Sequence, residues 1–132
     1  MQINGVSEAT LLKALADPTR LRIVNLLGSN PLCVCNIEKV LKISQTAASR
    51  HLARLQLAGI LDSERRAQWV YYSISPTFLQ RHALLMEYLE REFREDPQMI
   101  RDREHHALQE EAGSLCTTLE AARRKQTASA RT

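Results

Sequence analysis

Apolar residues recur at helical spacing through the first half of the chain and then switch to strict alternation. Leu11, Leu12 and Leu15 mark a first amphipathic helix over Ser7 to Ala16. Asp17-Pro18 supplies an N-cap followed by a ring-fixed first helical residue, opening a second helix whose buried face reads Leu21, Val24 and Leu27. Gly28, Ser29, Asn30 and Pro31 close it. Ile37, Val40 and Leu41 make Leu32 to Ile43 a short amphipathic helix, and Ser44 is a natural N-cap for the next one. That helix turns Ala48, Leu52 and Leu55 inward, and Gly59 stands where a left-handed C-terminal residue is wanted.

After Gly59 the period changes to that of strands, Leu61 to Arg66 and Gln68 to Ile74. The second strand carries Val70, Tyr72 and Ile74 on one face and Trp69, Tyr71 and Ser73 on the other. Ser75-Pro76 repeats the cap-plus-proline start of a helix with Phe78, Leu85 and Leu89 on one stripe and Leu84 and Tyr88 beside it. This helix is expected to end near Glu95-Asp96-Pro97. Leu108, Ala112, Leu115, Leu119 and Ala122 then keep alternating four and three spacing, too briefly for a coiled coil. The expected fold is mainly α with a small β-hairpin wing. Residues 1–95 form a winged helix-turn-helix domain, 96–122 a C-terminal helical extension, and 123–132 a disordered tail.

Composition narrows this picture. A chain of 132 residues suits one core with an appended segment. Six aromatic residues, Trp69, Tyr71, Tyr72, Phe78, Tyr88 and Phe93, argue against an aromatic-rich all-β core. No apolar run is long enough for a membrane span, and MQINGVSEAT lacks the basic and then apolar stretch of a secretion signal, so a cytoplasmic protein is expected. Three cysteines, an odd number, fit a reducing compartment with free thiols. The formal charge of +3 says little until it is located. Lys39, Lys42, Arg50, Arg54, Arg65 and Arg66 face only Asp62 and Glu64 in the middle of the chain, whereas from Arg94 onward seven basic and seven acidic residues cancel.

The basic middle coincides with the helix-turn-helix. Gln45, Thr46, Ser49 and Arg50 lie opposite the apolar Ala48-Leu52-Leu55 stripe, and such short or forked polar groups suit base edges and phosphates. On an isolated helix they would simply solvate the outer face. A following hairpin with Arg65 and Arg66 at its tip, able to track phosphates or enter the minor groove, turns the balance toward double-stranded DNA. His51 divides between a phosphate contact and a half-buried surface histidine.

Four separated strings, LLKALADPTRLRIVNLL, LCVCNI, SQTAASRHLARLQLAGIL and RRAQWVYYSI, resemble the ArsR/SmtB family of metal-responsive repressors and occur in that family's order between residues 11 and 74. The resemblance implies a homodimeric winged helix that binds an inverted-repeat operator, with the first helix and the helix from Pro76 forming the dimer interface. Two features depart from the family pattern. The wing connection, usually glycine-containing, is Ala67-Gln68, and the segment after Pro97 is longer than compact members need.

Cys33 and Cys35 are the sharpest chemical feature. Residues two apart on a regular helix point about 200° away from each other, so on a helix both sulfurs reach one ion only if the first turn unwinds. In an extended segment they point the same way. By resemblance, this C-V-C element senses trivalent arsenic or antimony, the expected inducer, through soft thiolates. The alternative is two small buried hydrophobes. The position where arsenite sensors of the family often carry a third cysteine is Glu38, which leaves Cys116 as the remaining candidate ligand. A cadmium- or lead-responsive arrangement wants cysteine near the N-terminus, which MQINGVSEAT lacks. The family's helix-based zinc site wants Asp-x-His and His-x-x-Glu spacings that do not occur. A thiol-based redox repressor using a disulfide through Cys116 is a further alternative, with helical geometry disfavouring a direct Cys33–Cys35 bond. An enzyme has no support, since no Gly-rich phosphate loop, H-E-x-x-H or nucleophile elbow occurs.

Overall fold

Helix starts are set by side-chain oxygens that take up otherwise unsatisfied backbone N–H groups. The computed structural model describes residues 7–28, 30–112, 118–119 and 121–124. Ser7 caps α1 (Glu8–Leu15), and Asp17 caps α2 (Pro18–Leu27) by accepting the Arg20 N–H at 3.0 Å. That hydrogen bond also holds the Asp17 carboxyl below its usual range, with the Arg20 and His51 charges adding to it. Cys33 ends β1 (Leu32–Cys33) and serves as N-cap of α3 (Val34–Leu41). Ser44 accepts the Ala47 N–H at 3.1 Å to start α4 (Gln45–Leu57).

α4 stops at Gly59 for a local reason. Gly59 has φ +80°, its N–H donates to Gln56 O, and the Ile60 N–H reaches back to Leu55 O, both at 3.0 Å. This is a Schellman termination in which Ile60 and Leu55, both fully buried, make the accompanying apolar contact. The chain then runs into β2 (Leu61–Arg66) and β3 (Trp69–Ile74). The sheet is antiparallel in the order β1-β3-β2, with Cys33 opposite Tyr71, Glu64 opposite Tyr71, and Arg66 opposite Trp69.

The hairpin turn is the two residues Ala67 and Gln68. Ala67 has φ +55° and Gln68 does not share that sign, the φ pattern of a type II′ connection, whose first position favours glycine. Alanine at that position is strained, and Ala67→Gly is therefore expected to raise unfolding stability by up to about 1 kcal/mol. A denaturant midpoint that does not rise would refute this assignment of the turn.

Two expected boundaries move. The helix expected over Leu32 to Ile43 begins only at Val34, because Leu32 and Cys33 pair with Tyr72 and Tyr71 of β3. The helix expected from Pro76 to Glu95 is two, α5 (Pro76–Arg81) and α6 (Ala83–Glu95), divided at His82 with φ −121° and ψ 39°. Hydrogen bonds continue across the bend, from His82 N–H to Phe78 O and from Met86 N–H to His82 O. The His82 ring packs 5.4 Å from that of Phe78, and no glycine or proline marks the place in the sequence.

Asp96 closes α6 and immediately caps α7 (Pro97–Glu111), accepting the N–H groups of Gln98 and Met99. α7 docks on α2, α3 and α6, and Met99 joins the same core as Ile23, Val24, Ile37, Leu52, Leu55 and Ile60. Its polar contacts are equally specific. Asp102 receives Arg22 through two bonds of 2.7 and 2.8 Å, the buried Asn25 amide donates to Met99 O, and Arg103 bonds both Asn25 oxygens. No described helix is long and apolar enough to cross a membrane.

Candidate nucleic-acid interface and thiol site

α3, the Lys42-Ile43-Ser44 turn and α4 form the helix-turn-helix. Lys42 adopts the left-handed conformation, φ 57° and ψ 47°, that ends α3. On α4, Ala48, Leu52 and Leu55 are buried while Gln45, Thr46, Ser49 and Arg50 are exposed, so the polar face expected from the sequence is free to meet a ligand. His51 lies to one side of that face. Its Nδ1 is 3.4 Å from Arg20 Nη1 and 4.0 Å from Asp17 Oδ1, which ties α4 to the α1–α2 corner.

The wing separates its two arginines. Arg65 is exposed on the strand face shared with Leu61 and Ser63, and Arg66 points to the opposite face, where its Nε donates to Glu64 Oε2 at 2.6 Å. Glu64 also takes both Nε and Nη2 of Arg123. Arg123 first and Arg66 second hold the Glu64 carboxyl down at about 2. Its folded value is depressed, so these bridges are complete above the ordinary value of 4.5 and are lost only as pH falls toward 2.

The two cysteines meet where strand and helix join. Cys33 has extended backbone, φ −79° and ψ 160°, and Cys35 lies in the first turn of α3. Their Cα atoms are 5.5 Å apart and the sulfurs are joined as a disulfide pair. The helical argument that kept them apart fails because only Cys35 is helical; no turn has to unwind. Cys33 and Tyr71 are buried and Cys35 and Trp69 half-buried, in a small cluster closed by Leu119 and Ala122. Sequence reasoning missed this enclosure, although alternation in β3 already put Trp69 and Tyr71 on one face. Glu38 is partly buried one turn further along α3. Cys116 lies outside the described residues. Among the described residues no group of three or more His, Cys, Asp or Glu could hold a metal ion.

A helix-turn-helix with an exposed polar recognition face, flanked by a hairpin with arginines at its tip, defines a winged helix-turn-helix regulator. Residues 17–63 match the family described as bacterial regulatory protein, arsR family. The arsenic resistance transcriptional regulator ArsR1 of Pseudomonas putida is 48% identical over 67 residues, which are 50% of this chain and 52% of that protein. The transcriptional activator HlyU of Vibrio cholerae is 39% identical over 77 residues, 58% of this chain and 71% of HlyU. The homodimeric winged helix-turn-helix DNA-binding domain of Mb0332 from Mycobacterium bovis, a possible ArsR-family regulator, superposes with a TM-score of 0.56 at 30% identity, covering 64% of this chain and 78% of that one. The chain belongs to the arsR family of bacterial regulatory proteins, which are regulators of transcription and not enzymes. It spans about half the length of ArsR1.

Proposed function

We propose that this protein is a cytoplasmic transcriptional repressor that binds double-stranded operator DNA as a homodimer and is released when trivalent arsenic or antimony is bound by Cys33 and Cys35. The observation that carries the reading is the meeting of the two sulfurs at the joint between the wing and the helix-turn-helix. Cys33 is paired across the sheet with Tyr71 of β3, while Cys35 belongs to the helix that leads into α4. An ion held between the sulfurs separates them more than a bond does, so its entry moves the β1 end relative to α3 and alters how wing and α4 are presented together. The arsenic-resistance relative supports the choice of inducer.

Gln45, Thr46, Ser49 and Arg50 read bases or position the backbone, and Arg65 and Arg66 add phosphate contacts. His51, turned toward Asp17 and Arg20, orients α4 from its side. Leu84 and Tyr88, one turn apart on α6, and Leu12 on α1 are large exposed apolar side chains and suit an interface between two copies. Two-fold symmetry then requires an inverted repeat with half-sites roughly one or two DNA turns apart.

The test is selection of duplexes from a random-sequence pool, followed by anisotropy titration of the recovered DNA with and without arsenite. An inverted repeat released by arsenite is expected; enrichment of no sequence would defeat the reading. On the recovered duplex, Arg50→Ala is expected to weaken binding and relax sequence preference, whereas Arg65→Ala and Arg66→Ala weaken binding to all sequences and each lower the salt slope by about one. Wing variants with the parent's salt slope would remove the wing from the interface. Cys116→Ser tests whether that thiol is the third ligand.

The direct Cys33–Cys35 bond favours a second reading, in which a peroxide-class oxidant takes two electrons and two protons from the dithiol and the disulfide is the releasing signal. Arsenite acting under an excess of a phosphine reductant supports the metalloid reading; release by peroxide alone supports the redox one.

A further inference from the structure

Lysine is an unusual residue for the turn between α3 and α4. Lys42 has φ 57° and ψ 47°, in the left-handed region that favours glycine or asparagine and strains other side chains. Its ammonium is exposed and takes part in no hydrogen bond or ion pair among the described residues. α7 comes to the same place. His105 Nδ1 donates at 3.0 Å to Val40 O, a last-turn carbonyl of α3 that the helix itself leaves open. That bond, together with the Arg22–Asp102 pair, fixes α7 beside the turn, and Lys42, Arg101 and Glu104 line a single groove between the two. Arg101 is exposed and its Nη2 donates to the neutral Gln98 Oε1 at 3.2 Å, so its charge is not cancelled. Arg22 and Asp102 neutralise each other, which leaves the groove two cations against Glu104.

We propose that Lys42 and Arg101 form a second DNA contact, gripping the phosphate backbone at the amino-terminal end of α4 while Arg65 of the wing grips it at the other. The inference rests on α4 as the helix that enters the major groove. Its 13 residues span about 20 Å. The groove it enters is about 12 Å wide and is walled on both sides by phosphates. The first turn of α4 carries the exposed Gln45 and Thr46, and Lys42 stands just ahead of them on the chain. The other end adjoins the wing, where Gln56 Nε2 donates to Ser63 Oγ at 3.0 Å and Arg65 shares the strand face of Ser63. Cations with no acidic partner among the described residues thus stand beyond both ends of the reading helix. A phosphate beside Lys42 gives a reason for lysine at a position whose backbone favours glycine. It also gives α7, which lies outside the stretch matched to the family, a part in DNA binding. Such contacts position the protein without reading sequence, so they raise affinity for every duplex.

The test is anisotropy titration of the full-length reduced chain, without inducer, against two labelled duplexes, the selected one and one of scrambled sequence, over a series of salt concentrations. Lys42→Gln and Arg101→Gln are each expected to lower the salt slope by about one and to weaken binding about fivefold at physiological salt, alike on both duplexes. Glu104→Gln removes the opposing charge and is expected to tighten binding about twofold. Arg94→Gln on α6 removes an exposed cation away from the groove and is expected to leave the slope unchanged. Lys42→Gly separates DNA binding from folding. It relieves the left-handed strain and is expected to raise the melting temperature by about 2–4 °C, while weakening DNA binding as Lys42→Gln does. A parental slope in either Lys42→Gln or Arg101→Gln would overturn the paired contact. So would an equal drop in Arg94→Gln, which would make the effect one of net charge, or a Lys42→Gly variant that binds DNA like the parent. Arg65→Ala on the same duplexes keeps this failure distinct from failure of the wing: a lowered slope there, beside parental slopes at Lys42 and Arg101, defeats the second contact alone.

Discussion

Cys33→Ser and Cys35→Ser are each expected to abolish release of DNA by arsenite and antimonite while leaving DNA affinity within about twofold of the parent. Serine nearly matches cysteine in size but has a hard hydroxyl that does not replace a thiolate toward a soft ion. The folded state tolerates the change for reasons specific to each position. Cys33 is the N-cap of α3 and makes no side-chain capping bond, so a serine hydroxyl there gains a backbone N–H as partner instead of being buried without one. Cys35 is half-buried in the first turn and leaves its replacement near solvent. Release that persists in either variant, measured by anisotropy of a labelled duplex, would remove the pair from the sensing site.

Asp102→Ala is expected to cost about 3 kcal/mol of stability, the low end for breaking a buried ion pair because Arg22 keeps some access to water. Asp102 is 3% exposed and receives Arg22 Nε and Nη2 together with Gln98 Nε2. Removing the carboxylate leaves a guanidinium against α7 with no counter-charge, whereas Asp102→Asn keeps two of the acceptor contacts and is expected to lose less. Urea unfolding at unchanged slope reads the difference. A loss below about 1 kcal/mol would mean that α7 is held by its apolar contacts through Met99 and not by this pair.

The helix-turn-helix was legible in the sequence because its determinants are local. Asp17-Pro18, Ser44 and Ser75-Pro76 do at their positions what capping chemistry says they do, and Gly59 takes the left-handed conformation that ends α4. The inward stripe of Ala48, Leu52 and Leu55 likewise needed only the helical period. What escaped depends on contacts between distant residues. A two-residue strand is too short to alternate, so β1 became visible only through its pairing with Tyr71 and Tyr72. That pairing is also what straightens Cys33 and brings its sulfur to Cys35. The docking of α7 turns on partners about eighty positions apart, Arg22 with Asp102 and Asn25 with Arg103, and periodicity carries no trace of such pairs. Leu119 and Ala122 stood out as apolar positions, but nothing in their spacing pointed to the wing.

The central claim is that the thiol pair and the DNA-reading surface are energetically coupled, and linkage makes that coupling measurable from either side. The most direct measurement is arsenite affinity of the reduced protein, free and saturated with its selected duplex, alongside duplex affinity with and without saturating arsenite. The expected result is that DNA weakens arsenite binding by the same factor by which arsenite weakens DNA binding, a factor between about 5 and 150. Equal arsenite affinity in the free and DNA-bound protein would contradict the account.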